Sequence, residues 1–273
     1  MRFLCLHGHG TNSQILEAQL EPLRSRLPRD WEYEFLDGEK ETIPATGIDA
    51  VFPGPYVCYH EEPIPEDVQH AVDLVKEVIR EEGPFDGVIG FSQGAALAAT
   101  VIAAEAERDP LAETFKVAIF LSATMPFDFS AGKLRLTCEA DNTLTATHQD
   151  IDGTKLDGGK QDWLNDCRTA GVIAEFQARR PQVEKSALPQ SVDVLLRYHP
   201  STHPQQIDIP TVHVIGLKDE YLDHGKNLAG ICNSRIQQVV THDGGHQLPR
   251  EGATVSRVAE AIQWAVDRML FHN

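Results

Sequence analysis

The chain has 273 residues, 41 % of them hydrophobic, and a formal net charge of −17. This length and composition suit one large α/β domain. The acidic balance argues against nucleic acid as a partner, because a phosphate backbone requires a basic surface. The sequence also lacks an apolar run of about 18 residues, so we expect neither a membrane-spanning helix nor a membrane partner.

Five cysteines are scattered without Cys-x-x-Cys spacing: Cys5, Cys58, Cys138, Cys167 and Cys232. An odd, dispersed set of this kind is typical of free thiols in a reducing compartment. The opening residues predict a core strand that Gly8 and Gly10 end early, and no small-residue cleavage site follows it. We therefore expect a cytoplasmic protein.

Six apolar runs rich in β-branched residues predict buried strands, and helical patterns separate most of them. The predicted strands are residues 2–7, 31–38, 85–92, 115–123, 211–216 and 235–242. The predicted helices are residues 12–27, with Asn12 or Ser13 as the N-cap, and residues 66–82, 94–108 and 252–270. This alternation indicates an α/β fold, with a mostly parallel sheet of about six strands and helices on both faces.

Two segments interrupt the alternation of strands and helices. Residues 38–67 are rich in Pro and Gly, and residues 124–205 separate the fourth predicted strand from the fifth. The second segment contains five aromatic residues and one predicted helix near 161–178. Loops of this length commonly act as lids or binding elements. We expect a single domain, residues 1–273, that carries a lid insertion at 124–205.

The stretch "GFSQG", residues 90–94, places Ser92 at a corner between a predicted strand and a predicted helix. In the G-x-S-x-G turn the glycines make room for a strained backbone that exposes the serine hydroxyl. The amide of Gln93 would then face the substrate oxygen as an oxyanion donor at a helix N-terminus. A purely structural glycine-rich turn would show the same five residues.

The stretch "LHGHG", residues 6–10, ends the first predicted strand. A glycine-flanked His9 could supply a second oxyanion amide. The alternatives are a tight turn with a buried histidine, or a metal site formed by His7 and His9. No cluster of further ligands with suitable spacing follows, so we expect no metal.

Candidates for an acid and a base follow the fifth and sixth predicted strands. Asp219 comes just after the fifth strand, with Glu220 and Asp223 as alternatives. His246 follows two glycines after the sixth strand, and His242 is its nearest competitor. Carboxyl ends of parallel strands meet at one edge of the sheet, so these side chains are expected near the serine.

The chain order Ser92, Asp219, His246 is the order found in α/β-hydrolases. Five segments together resemble the FSH-type serine hydrolases: "LHGHG", "FDGVIGFSQGAALA", "FLSATMP", "IPTVHVIGLKD" and "HDGGHQLP". The resemblance covers about residues 1–123 and 207–270. It implies an α/β-hydrolase core that lacks the first two strands of larger relatives. The long insertion departs from shorter family members and leaves substrate and partner open.

The resemblance also implies a function. Many fungal members belong to secondary-metabolite gene clusters, where some release a polyketide from its carrier protein as thioesterases and others are carboxylesterases. The expected activity is therefore hydrolysis of an acyl thioester or ester through an acyl-enzyme, without a cofactor. The alternatives are a carboxylesterase acting on a diffusible ester, an acyltransferase or cyclase, and a non-catalytic binding module.

The charge is unevenly distributed. Residues 124–205 carry a net charge of −2, and the remaining residues carry −15. An acidic carrier protein of a polyketide synthase would be repelled by the body of the molecule. We therefore expect a basic docking rim in the insertion, although a solvated helix end would also account for its central arginine pair. The residues of this rim are Arg179 and Arg180, with Lys155, Lys160 and Lys185.

Overall fold

A six-stranded parallel sheet forms the centre of the molecule. The computed structural model describes residues 1–109, 112, 114–138, 144–151, 153–154 and 191–271. Strands are numbered along the chain, and the central sheet has the order β11-β10-β6-β5-β1-β2 with every pair parallel. The predicted α/β fold is confirmed, and all six predicted strands are present. They are β1 (Arg2–Leu6), β2 (Glu32–Leu36), β5 (Gly87–Phe91), β6 (Val117–Leu121), β10 (Thr211–Gly216) and β11 (Gln237–His242).

Helices cover both faces of this sheet. On one face lie α1 (Ser13–Arg24) and α5 (Gly252–Phe271), and on the other lie α2 (Pro65–Glu82), α3 (Gln93–Arg108) and α4 (Leu222–Gly230). Because the sheet is covered on both sides, every residue of β5 and β6 is buried. None of the described helices combines the length and the apolarity that a membrane crossing requires.

Local sequence explains where these helices form. Asn12 is the N-cap of α1, since its side-chain oxygen accepts a hydrogen bond of 2.8 Å from the Ile15 amide. An apolar stripe along α2 is buried at Val68, Val72 and Val75, and its fourth member, Ile79, is partly buried. The alanine-rich α3 is buried along most of its length, so its backbone can lie close to the sheet. The short helix α4 was not among the predicted helices.

Residues 38–67 pack against the loop that follows β1. They contain the antiparallel strands β3 (Lys40–Glu41) and β4 (Val57–Cys58). The Gly10 amide donates a 3.1 Å hydrogen bond to the Val57 carbonyl, and the Ala45 amide donates a 2.9 Å bond to the Gly10 carbonyl. The segment is therefore fastened beside the stretch "LHGHG".

The described part of the insertion forms a second sheet. Strands β7 (Phe127–Cys138), β8 (Leu144–Gln149) and β9 (Ser191–Arg197) are antiparallel in the order β8-β7-β9. Phe127 and Leu195 pack with Val68 of α2, and the Phe127 amide donates a 2.9 Å hydrogen bond to the Thr100 hydroxyl of α3. No strands were predicted for this insertion from the sequence. The helix predicted near 161–178 lies outside the described residues.

Candidate active site

The candidate site lies where the strand order of the sheet reverses. From β1 the chain continues through α1 to β2 on one side, whereas β5 lies on the other side of β1. Helices α1 and α3 leave the ends of β1 and β5 towards opposite faces of the sheet. A crevice opens between such strand ends and is the usual ligand site of open α/β sheets. Residues 7–11 and Ser92 meet in this crevice.

Ser92 has a backbone conformation that L-residues rarely adopt, with φ 52° and ψ −113°. Strain of this kind costs about 1–3 kcal/mol and persists only where the surroundings enforce it. Here the two flanking glycines allow close packing. A Cβ atom on Gly90 would lie 2.4 Å from the Ala95 Cα, and one on Gly94 would lie 2.2 Å from the Leu6 carbonyl oxygen. At both positions, neighbouring backbone atoms therefore occupy the space that a side chain would need, as the glycines of the motif led us to expect.

A continuous chain of hydrogen bonds joins Ser92, His246 and Asp219. The Ser92 Oγ lies 2.8 Å from His246 Nε2, and His246 Nδ1 lies 2.9 and 3.0 Å from the two carboxylate oxygens of Asp219. A carboxylate can only accept, so Nδ1 carries a proton and Nε2 accepts from the serine hydroxyl. The structure thus brings together three side chains that are far apart in the sequence.

The loops after β10 and β11 are tied to each other by their backbones. The Leu217 amide donates to the His242 carbonyl at 2.8 Å, and the Lys218 amide donates to the Gly244 carbonyl at 2.9 Å. These bonds fix the Asp219 loop against the His246 loop. The separation of the carboxylate from the imidazole is therefore set by main-chain contacts.

The Asp219 side chain is only 2 % exposed. Burial by itself raises its pKa, but hydrogen bonds from His246, from the Tyr221 amide and from the Ser122 hydroxyl outweigh burial and hold the pKa below its ordinary value. Ser122 follows β6 directly and has a left-handed backbone, with φ 43°. Sequence reasoning did not single out Ser122, although it stands directly after a buried strand, as Ser92 does.

The structure separates the competing acids and base from the serine. His242 uses its Nδ1 to accept a 3.1 Å hydrogen bond from the Gly244 amide, so its ring caps the turn that leads to His246. Asp223 is 86 % exposed and pairs with Lys226 at 3.4 Å. Glu220 is exposed at the edge of the cavity. The hydrogen-bonded carboxylate of the site is that of Asp219.

Two aromatic rings hold the His246 imidazole. Tyr221 meets it edge to face at 5.0 Å between ring centroids, and Phe91 lies 5.5 Å away at a tilt of 38°. Such contacts restrict rotation of the imidazole and shield it from water. Sequence reasoning missed both rings. Their proximity in the chain to Ser92 and Asp219 was the available signal.

His9 and Gln93, the predicted oxyanion residues, both line the cavity beside Ser92. Gln93 is the first residue of α3, and backbone amides of a first helical turn have no acceptor within their helix. The Gln93 side chain serves a different purpose that the sequence did not suggest. It accepts a 2.9 Å hydrogen bond from the Tyr59 amide and donates a 2.8 Å bond to the His60 carbonyl, and so anchors the segment between β4 and α2.

His7 follows β1 directly and is fully buried. Its Nε2 accepts from the Gly38 amide at 3.0 Å, so Nδ1 carries the proton and donates to the Gly8 carbonyl at 2.7 Å. Burial lowers the pKa of this imidazole and keeps it neutral. Because both ring nitrogens are used within the protein, His7 is not available as a partner of His9 in a metal site.

The crevice widens into a cavity of about 690 Å³ that contains the Ser92 hydroxyl. Arg197 of β9, His60 and Glu220 place polar groups in its wall, and Arg250 lies at its edge. The volume falls within the range of small-molecule sites. The apolar part of the wall comes mainly from α1, from residues 45–52 and from the loop after β11: Ala18, Pro22, Ala45, Ile48, Val51, Phe52, Phe91 and Leu248.

Comparison with known proteins places the chain in one family. The sequence model of the serine hydrolase family FSH1 matches residues 1–258. Hydrolase FUB4 of Fusarium oxysporum f. sp. lycopersici is 37 % identical over 265 residues, which cover 96 % of this chain and 97 % of FUB4. Esterase alnB of Emericella nidulans is 31 % identical over 285 residues, covering 97 % and 96 %, and esterase FPY3 of Fusarium mangiferae is 31 % identical over 272 residues, covering 98 % of each chain. The chain is an enzyme that belongs to the FSH1 serine hydrolase family.

Proposed function

We propose that Ser92 is the nucleophile of an acyl ester or thioester hydrolase, with His246 as its general base and Asp219 as the residue that orients His246. The observation that carries this proposal is the 2.8 Å contact between Ser92 Oγ and His246 Nε2, in line with the Asp219 carboxylate on the opposite ring nitrogen. The backbone amides of His9 and Gln93 complete the site as oxyanion donors.

The chemistry follows from the positions of the protons. As Ser92 Oγ bonds to the acyl carbon, its proton passes to His246 Nε2, and the carbonyl oxygen becomes an oxyanion. When the tetrahedral intermediate collapses, the alcohol or thiol leaves with the Nε2 proton. Water then attacks the acyl-enzyme and gives one proton to Nε2. As the second tetrahedral intermediate collapses, the bond between the acyl carbon and Ser92 Oγ breaks, Oγ takes the proton back from Nε2, and a carboxylic acid is released. Asp219 stays ionised throughout, in keeping with the hydrogen bonds that lower its pKa.

The apolar wall of the cavity suits a medium or long acyl chain. Each buried methylene contributes about 0.8 kcal/mol to binding. Val51 is 71 % exposed, and with Ile48 and Phe52 it extends the apolar surface on the side of residues 45–52. Following the family resemblance, we take the acyl group to be a polyketide or fatty chain that is released in secondary metabolism, with a carrier protein as the donor.

The lid and the basic docking rim remain predictions. The insertion reaches the cavity at Thr124 and Arg197. We propose that the aromatic residues Trp163 and Phe176 of the insertion set chain selectivity. Both residues lie outside the described part of the chain, as do the predicted docking residues Lys155, Lys160, Arg179, Arg180 and Lys185.

The test compares wild type with Ser92→Ala on matched oxygen esters and N-acetylcysteamine thioesters of increasing chain length. We expect Ser92→Ala to lose turnover and fluorophosphonate labelling while it unfolds at the same urea concentration as wild type. Equal turnover by the variant would contradict the proposal. If wild type is labelled but does not hydrolyse any ester, and instead transfers the acyl group to an added amine or alcohol, the protein is an acyltransferase.

A further inference from the structure

Outside the cavity, three side chains that commonly bind metals converge. Glu107 lies in the last turn of α3, Asp128 in β7 of the insertion, and His203 in the loop after β9. One ligand atom from each residue lies within 4.8 Å of those of the other two. None of the three lines the active-site cavity. This cluster therefore joins the insertion to the core of the enzyme and is separate from the proposed chemistry at Ser92.

Asp128 is fully buried, and its two carboxylate oxygens differ. Oδ1 accepts a 2.7 Å hydrogen bond from the Ser130 hydroxyl and a 2.9 Å bond from the Ala131 amide. Oδ2 is equally buried, yet no described residue donates a hydrogen bond to it. A buried carboxylate oxygen without a donor is costly unless a cation compensates it. Oδ2 faces the cluster, at 3.4 Å from His203 Nε2.

The imidazole of His203 has one ring nitrogen directed at the cluster. The Thr202 hydroxyl lies 3.1 Å from the His199 carbonyl and 2.9 Å from His203 Nδ1, so Nδ1 is engaged within its own loop. Nε2 faces Asp128 Oδ2 and is the ring nitrogen that a metal ion would bind. A carboxylate oxygen without a hydrogen-bond donor and an imidazole nitrogen therefore face each other.

The 3.4 Å separation fits such a cation. It exceeds the usual N–H···O distance of about 2.7–3.2 Å. Two ligands bound about 2.1 Å from a tetrahedral zinc ion are about 3.4 Å apart. We propose that Glu107, Asp128 and His203 bind one Zn²⁺ or a similar divalent transition-metal ion that fastens the insertion to α3. The imidazole nitrogen favours this class of ion over Mg²⁺ and Ca²⁺, which prefer oxygen ligands.

The site can be tested by metal binding alone, using full-length protein without an affinity tag. Zn²⁺ titration by calorimetry is expected to give one ion per chain, and Co²⁺ is expected to show the visible absorption of a tetrahedral complex. Asp128→Asn keeps the Oδ1 acceptor and should weaken Zn²⁺ binding about 100-fold or more, since even outer partners of a metal site contribute about 10–100-fold. His203→Ala should have the same effect, and zinc should raise the melting temperature of wild type but not of these two variants.

The matched control is His70→Ala. It removes an exposed histidine of α2 whose Nε2 lies 2.7 Å from Glu39 Oε2. Its zinc affinity should equal that of wild type. The proposal is wrong if wild type binds no stoichiometric zinc, if the ion is lost in His70→Ala, or if Asp128→Asn and His203→Ala bind as wild type does. If Asp128→Asn does not fold, Glu107→Gln at the surface replaces it and decides in the same way.

Discussion

Replacing Gln93 with Leu would separate the two functions assigned to this residue. The leucine keeps the side-chain volume and leaves the backbone amide of residue 93 in place. It removes the hydrogen bonds to the Tyr59 amide and to the His60 carbonyl, both of which are buried. An unpaired buried polar group costs about 1–3 kcal/mol, so the two together should lower the free energy of unfolding by roughly 2–6 kcal/mol.

The catalytic consequence should depend on the substrate. Because the proposed oxyanion amide is retained, kcat for p-nitrophenyl butyrate should stay within about threefold of wild type. KM for p-nitrophenyl dodecanoate should rise, since His60 lines the cavity and lies edge to face against Phe127 at 5.1 Å. Urea unfolding and steady-state kinetics measure the two effects.

Gln69→Leu is the matched control, because this exposed glutamine on α2 bonds only to Asp73 in the described contacts. Its free energy of unfolding should change by less than about 0.5 kcal/mol. A change equally small in Gln93→Leu would refute the anchoring function of the Gln93 side chain. A loss of butyrate turnover with stability intact would instead mean that the side chain takes part in the chemistry.

Three further predictions concern stability, the base and the partner. Burial lowers the pKa of His213 from 6.5 to about 3. Below about pH 6.5 the unfolded chain therefore binds a proton at this residue that the folded protein does not bind. The free energy of unfolding should therefore fall by about 2 kcal/mol more between about pH 7 and pH 5 in wild type than in His213→Val, as urea titrations at each pH would show; equal slopes would contradict this. His246→Ala should reduce kcat about 10⁴-fold or more and His242→Ala less than about 10-fold, and the reverse pattern in ester assays would reassign the base. Exchanging both Arg179 and Arg180 for Glu should slow turnover of a carrier-bound acyl group and spare its N-acetylcysteamine thioester, with the difference shrinking as salt rises; an equal effect on both substrates would exclude the docking rim.

Much of the core could be predicted because its signals are local. Six apolar runs with helices between them already require a parallel sheet, and such a sheet gathers the carboxyl ends of its strands at one edge. Residues in the segments that follow strands, such as Ser92 and His9, could therefore be placed near one another before any contact was known. The glycines around Ser92 were equally readable, since close backbone approach tolerates no side chain.

The tertiary structure decided what depends on distances between remote segments. His242 ends β11 and His246 lies in the loop that follows it, and only the main-chain bonds between the loops after β10 and β11 determine which imidazole reaches Ser92. The Gln93 side chain and Ser122 likewise acquire partners only through packing.

The insertion shows most clearly that contacts between remote segments cannot be predicted from local sequence. Strand β7 pairs with β9 across more than 50 residues of chain, for example Arg135 with Asp193, and no local pattern specifies that register. The cluster of Glu107, Asp128 and His203 arises from three such segments. The amino-acid sequence by itself determined which strands of the central sheet form and which residues follow them, because burial and backbone propensity act locally. Pairing, register and the contacts of single side chains depend on long-range packing, and only the folded chain supplies it.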